Sequence, residues 1–246
     1  MQRRYELINS LAIGRPMQVL AFGHYGAPVI AFPSGGGQFF DFESNGMITA
    51  VAPLIEAGKI KIYCPESLDN ESWLKQGVDP HWRAVRHNAY QDFILYDLVP
   101  AIRADCHDEN IRIALTGASL GAYHAANFAL KFPHLFHYAL CMSGRYDIEL
   151  VCGHSGSEEV YFNNPVAYVP NLHDEALEHV RRNTHLVLVC GQGAWEEKCL
   201  RDTHRLADQL AEKSISHERD IWGYDVEHHW FWWRQQIAHH FGKTFG

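Results

Sequence analysis

A chain of 246 residues, 47% apolar and 20% charged, has the composition of a folded globular protein and can bury a continuous core without disulfides or metals. Its formal net charge of −8 argues against nucleic acid or an anionic membrane surface as the main partner. No apolar run approaches the roughly 20 residues of a membrane-spanning helix, and Glu6, Asn9 and Ser10 interrupt the basic N-terminus before it could form a secretory leader, so cytoplasmic residence is the expectation.

Taken in chain order, the pattern from about Ile13 to Phe32 reads as a strand pair. Met17 to Phe22 and Pro28 to Phe32 flank the turn residues Gly23 to Gly26. A glycine-rich loop, Pro33-Ser34-Gly35-Gly36-Gly37-Gln38, follows. Met47, Ile48, Val51, Leu54 and Ile55 recur at helical spacing, and Ile60 to Cys64 is a short strand. A long helix is predicted over Trp82 to Ile102, bent near its end by Pro100. Ile111 to Thr116 is a strand leading to a helix from Leu120 to Phe132. Tyr138 to Met142 and His185 to Cys190 are apolar throughout, as in a parallel sheet covered on both faces. A helix from about Trp195 to Lys213, a weaker strand near Ile221-Trp222 and a helix over Trp230 to Phe241 complete the chain.

No repeat or flexible linker divides this series, so residues 1–246 read as one domain. Strands alternating with helices of this length imply parallel crossover units. The expected architecture is a three-layer, doubly wound, mostly parallel α/β sheet with an antiparallel N-terminal hairpin.

Six cysteines (Cys64, Cys106, Cys141, Cys152, Cys190 and Cys199) lie scattered without Cys-x-x-Cys pairs, several inside apolar strands, and read as reduced core thiols. Seventeen histidines raise the question of metal, yet neither His-Glu-x-x-His nor tightly spaced Cys and His occurs. The adjacent pairs His228-His229 and His239-His240 point in different directions on a strand or helix. No metal site and no cofactor are expected.

Gly117-Ala118-Ser119-Leu120-Gly121 fits Gly-x-Ser-x-Gly, a pattern that chance alone supplies in roughly one chain of this length in ten. Its context carries the argument. A strand runs into it and a helix runs out of it, the placement that lifts a serine hydroxyl above the sheet while two glycines remove steric clashes. A hydroxyl is a weak nucleophile and needs a base. In this arrangement an acid and then a histidine follow the serine along the chain. The loop Gln192 to Glu197 offers Glu196 or Glu197, and Trp222 to Trp230 offers His228 or His229; Asp147 is a weaker candidate acid. Oxyanion donors are expected from the Leu120 amide and from the glycine-rich loop, at Gln38 or Gly37. A phosphate cradle is disfavoured there because no Gly-Lys-Ser/Thr follows.

With these residues in view, the sequence resembles the esterase D-like group of the α/β-hydrolase superfamily, which includes S-formylglutathione hydrolases, enterochelin esterases and mycolyltransferases. The resemblance rests on Gly23 to Gly26, the Pro33 to Gly46 loop, Gly117 to Gly121 and the C-terminal histidine region. It implies an α/β-hydrolase fold. The family's ending, Gly-x-His-x-Trp-x-x-Trp, aligns His228 with the base and Trp230 and Trp233 with its aromatic positions. The family glycine is missing, since Val226-Glu227 stand there, and His229 stays open. The acid of the mycolyltransferase-like members falls on Glu196.

These readings imply a serine hydrolase that cleaves an ester or thioester through an acyl-Ser119 intermediate, or an acyltransferase using the same residues. A non-catalytic binding protein on the same fold is the competing class. Phe39, Phe40, Phe42, Tyr161, Phe162, Trp195 and Trp230 to Trp233 fit an acyl pocket and loop packing equally well, and exposed aromatics also fit a homo-oligomer.

Overall fold

The computed structural model describes residues 1–246. Eight strands form one sheet: β1 (Arg3–Ser10), β2 (Arg15–Phe22), β3 (Ala27–Phe32), β4 (Ile60–Pro65), β5 (Ile113–Ala118), β6 (Phe136–Met142), β7 (His185–Cys190) and β8 (His217–Ile221). Their spatial order is β1-β2-β4-β3-β5-β6-β7-β8, so β1 and β8 are the two edges. β2 runs antiparallel to both β1 and β4; every other pair is parallel. This is the mostly parallel α/β-hydrolase sheet with an antiparallel N-terminal hairpin.

The hairpin differs in one respect from the sequence reading. Its strands are β1 and β2, whereas β2 and β3 are separated in the sheet by β4. Gly23 to Gly26 therefore carry the chain past the position of β4 to β3, which runs parallel to β4. A Cβ on Gly26 would lie 2.4 Å from the Lys59 backbone, so glycine is required for that close pass. β1 escapes a periodicity reading because its residues alternate exposed with half-buried, with charges at Arg3, Arg4 and Glu6.

Period-2 alternation places Val29 and Ala31 on one face of β3 and Ile30 and Phe32 on the other, and all four are buried. Over the first face pack the short helices Asp41–Ser44, Met47–Ala50 and Ala52–Glu56 and the closing helix Trp230–Phe245, through Phe42, Met47, Ile55, Trp233, Ile237 and Phe241. Over the second pack the long helical segment, the helix Leu120–Lys131, and the helices Asp174–Asn183 and Glu197–Glu212. The long segment runs as Pro80–Asp92, a π-helical stretch Phe93–Leu98, then Val99–Cys106. Pro100 has no N–H to give the preceding turn, and the wider π turn sits directly before it.

All six cysteines are free thiols. No helix is long and apolar enough to cross a membrane.

Candidate active site

The parallel strands β3, β5, β6, β7 and β8 end on the same side of the sheet, at Phe32, Ala118, Met142, Cys190 and Ile221. The loops that follow them carry every candidate residue, which is where open α/β sheets place their sites.

Ser119 sits between β5 and the helix Leu120–Lys131 with φ 58° and ψ −119°, a strained conformation for a residue with a side chain. Its turn closes only because both flanking positions lack a Cβ. A Cβ on Gly117 would lie 2.3 Å from the Gly121 backbone, and one on Gly121 would lie 2.5 Å from the Pro33 carbonyl oxygen. The Ser119 N–H donates to Met142 O at 2.9 Å, fixing the turn to the end of β6. Its hydroxyl makes no hydrogen bond to His228 in this conformation.

The acid and the histidine are delivered by two loops zipped together. Gly193 N–H donates to Val226 O at 2.8 Å, and His228 N–H to Ala194 O at 3.0 Å. A Cβ on Gly191 or Gly193 would lie 2.1 or 2.7 Å from Val226 O, so these glycines permit the contact. As a result Glu196 Oε2 lies 3.1 Å from His228 Nδ1. The Glu196 side chain is 1% exposed and that of His228 21%, so the carboxylate is sequestered and the imidazole reaches solvent.

Four further side chains surround the pair. Ser143, at the end of β6 with φ 52°, donates its hydroxyl to Glu196 Oε1 at 2.5 Å and accepts from Trp233 Nε1 at 3.0 Å. The Trp233 ring stands edge-on to His228, centroids 4.9 Å apart. Cys190 Sγ donates to Glu196 Oε2 at 3.4 Å, and Cys199 Sγ lies 3.8 Å from His228 Nδ1. Burial pushes both thiols up, Cys199 to about 12, so both are protonated at neutral pH. Glu196, Cys199 and His228 offer metal-ligating atoms within 4.8 Å of one another, although the carboxylate and thiol are closed off by packing.

The alternatives left open by sequence are now placed elsewhere. Glu197 is exposed in the first turn of its helix. Asp147 is taken by Arg205 at 2.6 Å and by Asn164 at 3.0 Å. His229 caps the closing helix, its Nδ1 accepting from Phe231 N–H at 3.1 Å. In the glycine-rich loop the Gly37 N–H is committed to Ser34 O at 2.8 Å, which corrects its candidacy as an oxyanion donor. The amides of Gln38 and Leu120 have no partner within the protein, and Gly35 packs on the Leu120 side chain.

The aromatic candidates divide. Phe42 and Trp233 are buried, and Phe42 and Trp230 meet edge-on at 6.1 Å. Tyr161 and Phe162 line a cavity of about 560 Å³ beside Leu130 and Phe132, at the far end of the helix that Ser119 begins. Eleven residues of helix put that cavity about 16 Å from the serine.

Sequence reasoning did not single out Ser143. The missing signal is tertiary: only the fold brings a serine after β6 beneath a tryptophan 90 residues later.

The family model described as "Putative esterase" matches residues 10–244. The chain belongs to this esterase family. It is an ester-cleaving hydrolase on an α/β-hydrolase fold. Its sheet superposes on solved structures of low sequence identity. A ferulic acid esterase matches with TM-score 0.79 at 14% identity, covering 99% of this chain and 97% of that one. The fluorophosphonate-binding serine hydrolase F of Staphylococcus aureus gives 0.76 at 14%, covering 100% and 98%. An S-formylglutathione hydrolase from the same organism gives 0.74 at 14%, covering 100% and 97%. No curated protein matches this esterase at a significant level.

Proposed function

We propose that this esterase cleaves a carboxylic ester or thioester through an acyl-enzyme formed on Ser119. The observation that carries the reading is the buried Glu196 carboxylate, 3.1 Å from Nδ1 of a partly exposed His228, at the end of the sheet where the strained Ser119 turn also lies. An acceptor on Nδ1 keeps that nitrogen protonated and leaves Nε2 as the base.

In the proposed reaction His228 Nε2 takes the Ser119 proton as Oγ attacks the carbonyl carbon. The carbonyl oxygen gains the electron pair of its double bond and is held by the Leu120 and Gln38 N–H groups. When the tetrahedral species collapses, the imidazolium returns its proton to the departing alcohol or thiol. Water then repeats the sequence on the acyl-serine, releasing the acid. Glu196 orients the ring and balances its transient charge. The S-formylglutathione hydrolase and ferulic acid esterase neighbours lend weight to both thioester and ester substrates. The serine hydrolase F neighbour suggests the probe.

A fluorophosphonate is expected to label the wild type at Ser119 and to leave Ser119→Ala unlabelled. Hydrolysis of p-nitrophenyl esters across an acyl-chain series should fall by about 10⁴-fold or more in that variant. A folded wild type that resists labelling, or a Ser119→Ala protein that still turns over, would sink the proposal.

A further inference from the structure

The segment 222–229, which carries His228, is strung between β8 and the closing helix Trp230–Phe245. Behind it lies a second convergence of polar side chains that the ester chemistry does not use. Asp220 is on β8; His239 and His240 are on the closing helix. Asp220 Oδ2 lies 3.0 Å from His240 Nε2 and accepts from Trp222 Nε1 at 2.8 Å.

Adjacent helix residues leave the axis about 100° apart, and divergence is the ordinary outcome for two neighbouring histidines. Here the two rings meet edge-on with centroids 4.9 Å apart. One ligating atom from each of Asp220, His239 and His240 lies within 4.8 Å of the others. His240 is 1% exposed, the Asp220 side chain 30% exposed and His239 open to solvent, so the trio is walled on one side and accessible on the other. One turn further along the helix, Lys243 pairs with Glu218 at 2.9 Å, so this helix face is turned towards β8.

We propose that Asp220, His239 and His240 form a binding site for a divalent transition metal, with Zn²⁺ the ion that two imidazoles and one carboxylate suit best. A tetrahedral zinc with ligand bonds of about 2.0–2.2 Å holds its ligands about 3.3–3.6 Å apart. Closing the trio on an ion therefore needs only side-chain rotation, chiefly of the exposed His239. Trp222 Nε1–H supplies the outer hydrogen bond that orients the carboxylate. His240 would bind through Nε2 as the neutral tautomer, its proton moving from Nε2 to Nδ1 so that the Nε2–Asp220 contact gives way to two metal bonds, and water would complete the coordination. A metal here ties the sheet edge to the closing helix and fixes both ends of the His228 segment.

The test uses untagged full-length protein, titrated with Zn²⁺ calorimetrically and with Co²⁺ followed by its visible d–d absorption. Wild type should bind one ion per chain with the low-symmetry Co²⁺ spectrum of a four- or five-coordinate site. Zn²⁺ should raise its Tm in a concentration-dependent way. His239→Ala, a surface change, and Asp220→Asn should each weaken binding at least tenfold and abolish the Tm rise, while Cys199→Ser binds as wild type does. Ester hydrolysis should persist in the zinc-loaded enzyme. Absence of binding, binding that survives both His239→Ala and Asp220→Asn, or binding lost in Cys199→Ser with zinc blocking hydrolysis would each overturn the assignment. The last result would move the ion to Glu196, Cys199 and His228. Because binding is read without substrate, the outcome is independent of whether Ser119 is the nucleophile.

Discussion

Two neighbouring histidines do different work. His228 faces a buried carboxylate, and His229 donates nothing to the site but accepts the Phe231 N–H that begins the closing helix. His228→Ala should lower kcat/KM by about 10⁴-fold with little change in Tm. His229→Ala should keep activity within a few-fold and cost about 0.5–1 kcal/mol of stability, the usual loss of a helix cap. Steady-state kinetics and thermal melts on the two proteins separate these roles; reversed outcomes would exchange them. Ser143→Ala leaves both the Trp233 Nε1–H and Glu196 Oε1 short of a buried partner, at a cost of about 1–3 kcal/mol. A loss of about 1.4 kcal/mol in orienting Glu196 corresponds to about a tenfold lower kcat with KM unchanged. At this scale the sequence was legible where chemistry is local. The serine turn announces itself through Gly117 and Gly121. Glu196 and Glu197 look alike as letters because which of them turns inward is decided by the Gly193–Val226 pairing, a contact between distant segments.

Among elements, an ionic knot at Asp105 ties β1 to β4 and to the helix Val99–Cys106, beside the separate pairs Arg3–Glu43 and Arg15–Glu66. Arg4 on β1 makes two hydrogen bonds to Asp105, Lys61 on β4 lies 2.5 Å from it, and Tyr63 donates to it at 2.6 Å. Burial alone would raise the Asp105 carboxyl, but hydrogen bonds from Arg4, Lys61 and Tyr63 outweigh it and hold the group well below the usual carboxylate range. A depressed folded-state pKa gives stability that is fully present above the unfolded value, about 4, and drains away as pH falls below it. Asp105→Asn should lower stability at pH 7 by about 2–3 kcal/mol and flatten the loss between pH 4 and pH 2. Urea melts of both proteins across that range measure it, and parallel curves would refute the role. An antiparallel N-terminal hairpin is expected from the sequence, but neither its true pair of strands nor the Asp105 knot is legible there. β1 carries no apolar alternation, and β2 sits against β4 because β4 enters between strands that are consecutive in the chain. By contrast β6 and β7 were plain as apolar runs, since both of their faces are covered.

For the molecule as a whole, the histidine content shapes the acid response. Burial holds the imidazoles of His87, His137 and His185 below their ordinary range, with nearby cationic groups adding to the effect at His87 and His137. The unfolded chain takes up protons at these positions from about pH 6.5 downward while the folded chain refuses them, so stability declines as pH falls through that region. A Tm falling between pH 7 and pH 5, less steeply in His87→Gln, is the expected result; equal slopes would contradict it. The sheet's two borders carry another consequence. β1 presents Arg3, Arg4 and Glu6, and β8 is the short, charged run His217-Glu218-Arg219-Asp220-Ile221. Lining up a second copy against either border would strand like charges beside unpaired backbone groups, so the fold guards itself against fibrous strand-by-strand growth, which its apolar central strands would otherwise favour.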